Sequence, residues 1–226
     1  MHSITKRALD EGRPLFENEA RDILKLYGID MPPHQVAHNE DEAFELAREM
    51  GYPVVMKIVS RDILHKSDAG GVILNISNGA KARSAYAALI KNAKEYDPDA
   101  RIEGVLVTPM VEQGVEVIIG MTKDPQFGSV IMFGLGGIFV EVFKDVSFRI
   151  TPLEKLDACE MIESIRSYPI LTGIRGESPR DVESLCGLIL KVSELCEELP
   201  ELTELDLNPV FVYEKGYAIV DARMLV

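Results

Sequence analysis

Apolar positions along this chain switch repeatedly between helical and strand spacing. Over 17–27, Ala20, Ile23, Leu24 and Tyr27 share one helical face; Gly28 ends the pattern and Pro32-Pro33 prevents continuation. A short strand is predicted around Gln35-Val36-Ala37. Asn39 then caps a helix, with Glu42 as its box partner and Ala43, Phe44, Ala47 and Met50 as its apolar stripe. Strands are predicted at 53–59 and 71–77. Asn78 starts a helix carrying Ala82, Ala85, Tyr86, Leu89 and Ile90 on one face, and an apolar strand follows at 104–110.

The second half opens with strand-like runs at 114–121, 129–134 and 138–143, the last two separated by Gly134-Leu135-Gly136-Gly137. Thr151-Pro152-Leu153-Glu154 reads as a helix start, with a cap, a proline at the first position and a glutamate at the third. Ser178-Pro179-Arg180-Asp181 repeats that logic and launches a helix to about Leu199. Strands at 203–207, 209–213 and 217–220 complete the pattern. The whole is an α/β (α+β) chain: a smaller lobe over 31–108, and a larger lobe made of 1–30 and 109–226 with mainly antiparallel pairing. There is no internal repeat.

The 226 residues are 46% hydrophobic, enough for one sizeable globular unit divided into two lobes. A net charge of −13 argues against nucleic acid as a partner, since that binding leans on clustered Lys and Arg, but a local cationic pocket remains possible. No apolar run approaches the ~18 residues of a membrane span, and residues 1–7 lack the apolar core of a secretory signal, so a cytoplasmic location is expected. Cys159, Cys186 and Cys196 lack metal-ligand spacing and are expected as buried thiols.

Against this background some residues break the pattern in a chemically informative way. Lys57 interrupts the apolar strand Pro53–Val59 and shares a face with Val55 and Val59. An edge-strand lysine reaching water would look the same, as would a fixed charge for a phosphate. The loop His65-Lys66-Ser67-Asp68-Ala69-Gly70-Gly71 follows at once. Its glycines allow close backbone approach and an anion-binding nest, although a polar hairpin turn explains Gly70-Gly71 equally. His65 could be a general base, a metal ligand or a phosphoryl acceptor.

Asp206 and Asn208 lie two apart on a strand, and Asp221 could return opposite them. Two carboxylates and an amide oxygen suit Mg²⁺; an Asx-Pro turn among surface acids is the alternative. The connector around Met110 and Val111 could offer backbone groups to a purine edge, with Glu116 reaching a ribose. Gly134–Gly137 is not G-x-G-x-x-G and leads into a strand-like run, so it is taken as a tight turn. Arg175-Gly176 could form a second loop with a cationic tip.

Together these segments resemble the ATP-grasp superfamily. The runs from Lys57 through His65-Lys66-Ser67-Asp68 to Val72, Asp124–Gly128, Phe133–Glu141 and Glu204–Pro209 resemble, more specifically, the β subunits of ADP-forming acetate–CoA ligases. The resemblance spans nearly the whole chain. It implies an ATP-grasp fold with the nucleotide between the two lobes. The implied reaction is acyl-CoA + ADP + phosphate ⇌ carboxylic acid + ATP + CoA, through a phosphohistidine on a CoA-binding α subunit. It further implies that His65 is a second phosphoryl acceptor, with Asp206 as its acidic partner. Lys57, Lys66, Gly70, Gly71, Met110, Val111 and Glu116 would hold ATP or ADP, and Asn208, Asp221 and Asp206 would hold Mg²⁺. With no dinucleotide-type motif for CoA in the chain, an α2β2 heterotetramer is expected. Another ATP-grasp carboxylate ligase, a succinyl-CoA synthetase-like subunit and a nucleotide-binding module without turnover are the alternatives.

Overall fold

The computed structural model describes residues 2–63, 65–174 and 176–226. Arg175, the expected cationic loop tip, lies outside the described residues. The chain forms two compact units, one of residues 1–31 with 113–226 and one of residues 32–112.

The larger unit begins with α1 (Ser3–Asp10), which the periodicity did not reveal, and α2 (Glu17–Leu26). The N-terminus of α2 is held by Glu19, whose carboxylate accepts from the Phe16 amide at 3.0 Å and also binds Arg13 at 2.7 Å. Ala20, Ile23 and Leu24 are fully buried, as their spacing predicted.

The smaller unit contains β1 (Gln35–Ala37), α3 (Glu40–Met50), β2 (Val54–Ser60), β3 (Val72–Ile76), α4 (Gly79–Tyr96) and β4 (Ile102–Pro109). Its strands form an antiparallel sheet in the order β1-β4-β2-β3. Both helices start where cap chemistry requires: the Asn39 side chain accepts from the Glu42 amide and Asn78 from that of Lys81. Val54, Met56 and Ile58 join Val105, Val107, Ala43, Ala47, Ala85 and Leu89 in one core. Lys57 belongs to the other face of β2, with Val55 and Val59.

The larger unit resumes with β5 (Val115–Asp124), β6 (Gly128–Leu135), α5 (Ile138–Glu141), β7 (Val146–Ile150), α6 (Lys155–Glu163), α7 (Val182–Glu198), β8 (Glu204–Val212), β9 (Tyr217–Ile219) and β10 (Ala222–Leu225). The antiparallel sheet runs β10-β8-β5-β6-β7, with β9 added to β8. Val117, Ile119, Ile131, Phe133, Leu205 and Leu207 point to the core, which Ile162, Leu188, Ile189 and Val192 of α6 and α7 complete. Glu116, Val130, Met132 and Asp206 alternate with these residues and lie on the other face.

Several sequence expectations are corrected here. The predicted strand 138–143 is one helical turn, and the edge strand comes later at β7. α6 starts at Lys155 with Glu154 and Asp157 as its capping box, because Thr151-Pro152 occupies the preceding turn. Asp181, not Ser178, caps α7, accepting from the Ser184 amide at 3.0 Å. The two strands predicted on either side of Pro209 are one, β8. Its first half pairs with β10 and its second with β9, so the proline, which has no N–H to donate, sits where the partner changes. Cys159 and Cys186 are not free thiols: a disulfide joins them across α6 and α7, with Cα atoms 5.3 Å apart. Cys196 is buried and free, its thiol pKa pushed up to about 12 by burial.

Candidate functional site

Three strand segments of the larger unit build an acidic cluster. Asp206 of β8 lies between Gly120 of β5 and Arg223 of β10 in the sheet register. Gly120 has no side chain, and the Met132 methyl covers that position, 3.3 Å from where a Cβ would stand. Two residues on, Asn208 hydrogen-bonds the Asp206 carboxylate through its side chain. The Asn208 amide donates to the Asp221 carbonyl at 3.3 Å, and the Val220 amide to the Pro209 carbonyl at 3.0 Å. These bonds tie the β9–β10 turn to the point where β8 changes partner, which brings Asp221 to Asp206.

Burial, with the negative charge of Asp221 behind it, raises the Asp206 pKa; Arg223 opposes the shift. The repulsion that Asp221 exerts on an ionised Asp206 therefore exceeds the attraction of Arg223. A divalent cation would cancel it, and the donors fit Mg²⁺: two carboxylates and an amide oxygen, with room left for waters and phosphate oxygens. Among the described residues no group of three or more His, Cys, Asp or Glu is arranged to hold a metal ion, so an all-carboxylate cage is not the geometry here.

Glu116 enters β5 on the face that carries Asp206. Its carbonyl accepts from the Gly136 amide at 2.8 Å, and its side chain crosses Gly136 so closely that a Cβ there would stand 2.5 Å from Glu116 Cγ. Gly136 thus has a role that the pattern of its run did not disclose: it leaves room for the Glu116 side chain. No local signal identified that partner, because the two residues meet only through sheet pairing.

In the smaller unit, Lys57 is buried in mid-strand, 5% exposed, opposite Val72 of β3 and Leu106 of β4. Burial rules out the solvent-reaching edge lysine. The loop that follows is pinned at its base. The Ile58 amide donates to the Gly71 carbonyl at 2.8 Å, and the Gly71 amide to the Lys66 carbonyl at 2.7 Å. Gly70 has φ +58° and its carbonyl accepts from Asn92 Nδ2 of α4 at 2.9 Å. Sequence reasoning missed Asn92. Ala69 is buried as an anchor while His65, Ser67 and Asp68 are exposed. A solvent-facing imidazole is thereby held on a loop closed by four backbone and side-chain hydrogen bonds, counting the Gly70 amide to the Ser67 carbonyl at 3.1 Å. Met110 is part-exposed, its amide donating to the Pro53 carbonyl at 3.0 Å, and Val111 is half-buried. Lys57, His65, Lys66, Gly70, Gly71, Met110 and Val111 belong to the smaller unit; Glu116, Asp206, Asn208 and Asp221 belong to the larger.

An ATP-grasp domain family model matches residues 7–226. The chain is 56% identical over 223 residues to the acetate–CoA ligase [ADP-forming] I subunit beta of Pyrococcus furiosus, covering 99% of this chain and 96% of that one. Among solved structures, a chain of the dinucleotide-forming acetyl-coenzyme A synthetase 1 of Ca. Korarchaeum cryptofilum, in complex with coenzyme A, Ca-AMPCP and HgCl⁺, superimposes with a TM-score of 0.95 at 45% identity, covering 98% of this chain and 97% of that one. A second form of that synthetase has coenzyme A and Mg-AMPPCP bound, with its phosphohistidine segment pointing towards the nucleotide-binding site. It matches with a TM-score of 0.87 at 41% identity over 99% and 98% of the two chains.

Proposed function

The chain belongs to the ATP-grasp family, among the β subunits of ADP-forming acetate–CoA ligases, and on that premise we propose how its residues share the work. The overall reaction is acetyl-CoA or another acyl-CoA + ADP + phosphate ⇌ acid + ATP + CoA. The phosphoryl group arrives as a phosphohistidine on a CoA-binding α subunit in an α2β2 assembly. An imidazole nitrogen of His65 attacks the phosphorus: a new P–N bond forms as the P–N bond to the partner's histidine breaks. The oxygen of ADP then takes the group and releases the His65 nitrogen.

Phosphoryl transfer needs alignment and charge neutralisation more than covalent help. Lys57, desolvated in mid-strand, supplies a fixed positive charge for the nucleotide phosphates. Lys66 and the Gly70-Gly71 backbone bind phosphate oxygens. Glu116 accepts from ribose hydroxyls, and the Met110-Val111 backbone reads the purine edge. Asn208, Asp221 and Asp206 would hold Mg²⁺, which would neutralise phosphate charge when bound; Asp206 is also the acid that assists the histidine transfer.

The exposed His65 on its tethered loop carries this reading. It is supported by the phosphohistidine segment directed at the nucleotide site in the related synthetase. Mixing the chain with its α partner, acetyl-CoA, ADP, phosphate and Mg²⁺ should yield ATP, and His65→Ala should abolish it. A variant that makes ATP at the wild-type rate would remove the relay role. That result would favour a carboxylate ligase working through an acyl phosphate alone.

A further inference from the structure

We propose that Arg21, on α2, is a positioning residue for the Asp221 carboxylate; this rests on the reading that Asp221 holds the metal. Arg21 is fully buried. Its Nε and Nη2 donate to Glu17 Oε1 at 3.0 and 2.8 Å, and Nη2 also donates to the Val220 carbonyl at 2.7 Å. Val220 immediately precedes Asp221.

The turn between β9 and β10 is therefore held on three sides. Arg21 takes the Val220 carbonyl, the Pro209 carbonyl takes the Val220 amide, and the Asn208 amide meets the Asp221 carbonyl. Charge assistance makes the Arg21 contact stronger than an ordinary backbone bond. Glu17 in turn fixes the guanidinium: the pair sits one turn apart on α2, both side chains 1% exposed. α2 packs against β10, so the clamp reaches the site from behind the sheet.

Stability alone is a poor account of this pair. A buried ion pair roughly offsets its own desolvation, and Nη1 is buried with no hydrogen-bond partner among the described residues. What the pair does at the site is hold the Val220 carbonyl, and through it the aim of the next side chain towards Asp206 and Asn208. Misplacing one donor of a three-donor set should weaken metal-dependent binding and leave metal-independent binding alone.

The test uses the full chain and calorimetric titration of ADP, with Mg²⁺ and with a chelator. Glu17→Leu/Arg21→Met removes both charges of the pair together. It should weaken Mg²⁺-dependent ADP binding about tenfold, the scale of one charge-assisted hydrogen bond, with chelator-side binding unchanged. Arg21→Lys, which keeps a donor, should recover part of the loss. If the double variant is folded and keeps the wild-type Mg²⁺ dependence while Asp221→Asn loses it, the positioning role is wrong and the metal site stands. If Asp221→Asn also keeps it, the metal site fails and the inference with it. Should the double variant not fold, Glu17→Gln/Arg21→Gln takes its place under the same criteria, since glutamine is too short to span from α2 to Val220.

Discussion

Gly136→Ala offers a direct probe of Glu116, because geometry separates its effect on binding from its effect on stability. A Cβ at 136 would stand 2.5 Å from Glu116 Cγ and 2.7 Å from Oε1. Carbon–carbon contacts are comfortable at about 3.5–4.0 Å, so the glutamate must retreat by ~1 Å. It can do so, because the clash falls on a flexible side chain and not on backbone. The stability cost is that of an off-rotamer side chain, about 0.5–1.5 kcal/mol. The binding cost is larger. A hydrogen bond from a charged group contributes about 1.5–3 kcal/mol, so the KM for ADP should rise about ten- to hundredfold. The assay is ATP formation by the assembled enzyme over a range of ADP, beside a thermal melt. Gly71→Ala is the contrasting control. There the Cβ would meet Ile58 Cγ2 at 2.6 Å and the Lys66 carbonyl at 2.9 Å, a branched core residue and the backbone. Neither retreats freely, so about 1–3 kcal/mol of stability should be lost. A Gly136→Ala enzyme with unchanged KM and a lowered melting temperature would refute the reasoning about Glu116.

Two further outcomes follow from other parts of the fold. Asp181 accepts from the Gly216 amide, the Ser184 hydroxyl and the Ser184 amide, and these bonds, that from Gly216 foremost, lower its pKa from 3.8. The stabilisation is present in full above the unfolded value and is lost as pH falls through the lower folded value. Asp181→Ala should therefore cost about 1–2 kcal/mol at neutral pH, and the gap from wild type should close only in strong acid. A gap that persists there in chemical denaturation would exclude the carboxylate as its source. In denaturant without reductant, only Cys196 should take up iodoacetamide, because Cys159 and Cys186 are joined; with reductant all three cysteines should. Mass spectrometry showing three labels without reductant would contradict the pairing.

Much of the smaller unit was legible because its signals are local. Asn39 and Asn78 cap the helices they precede through bonds that span three residues. Alternation around Lys57 assigned it correctly to the face opposite Met56 and Ile58. Burial of that lysine was not legible, since a strand pattern does not say whether its second face is covered. The acidic cluster divides in the same way. A period of two placed Asp206 and Asn208 together, whereas the raised pKa of Asp206 depends on Asp221 and Arg223 returning from a separate strand.

The sequence by itself determined most strand and helix periods, the Asn39 and Asn78 caps, the loop of His65 and the candidate donors at 206 and 208. All of these rest on interactions within one or two turns of chain. Only the tertiary structure decided that 138–141 winds into a helix, that β8 runs unbroken through Pro209, that Cys159 finds Cys186, that Gly136 makes way for Glu116 and that Arg21 grips the Val220 carbonyl. Each of these depends on where segments meet after packing. Arg21 and Val220 are 199 residues apart, and no short-range pattern encodes that encounter.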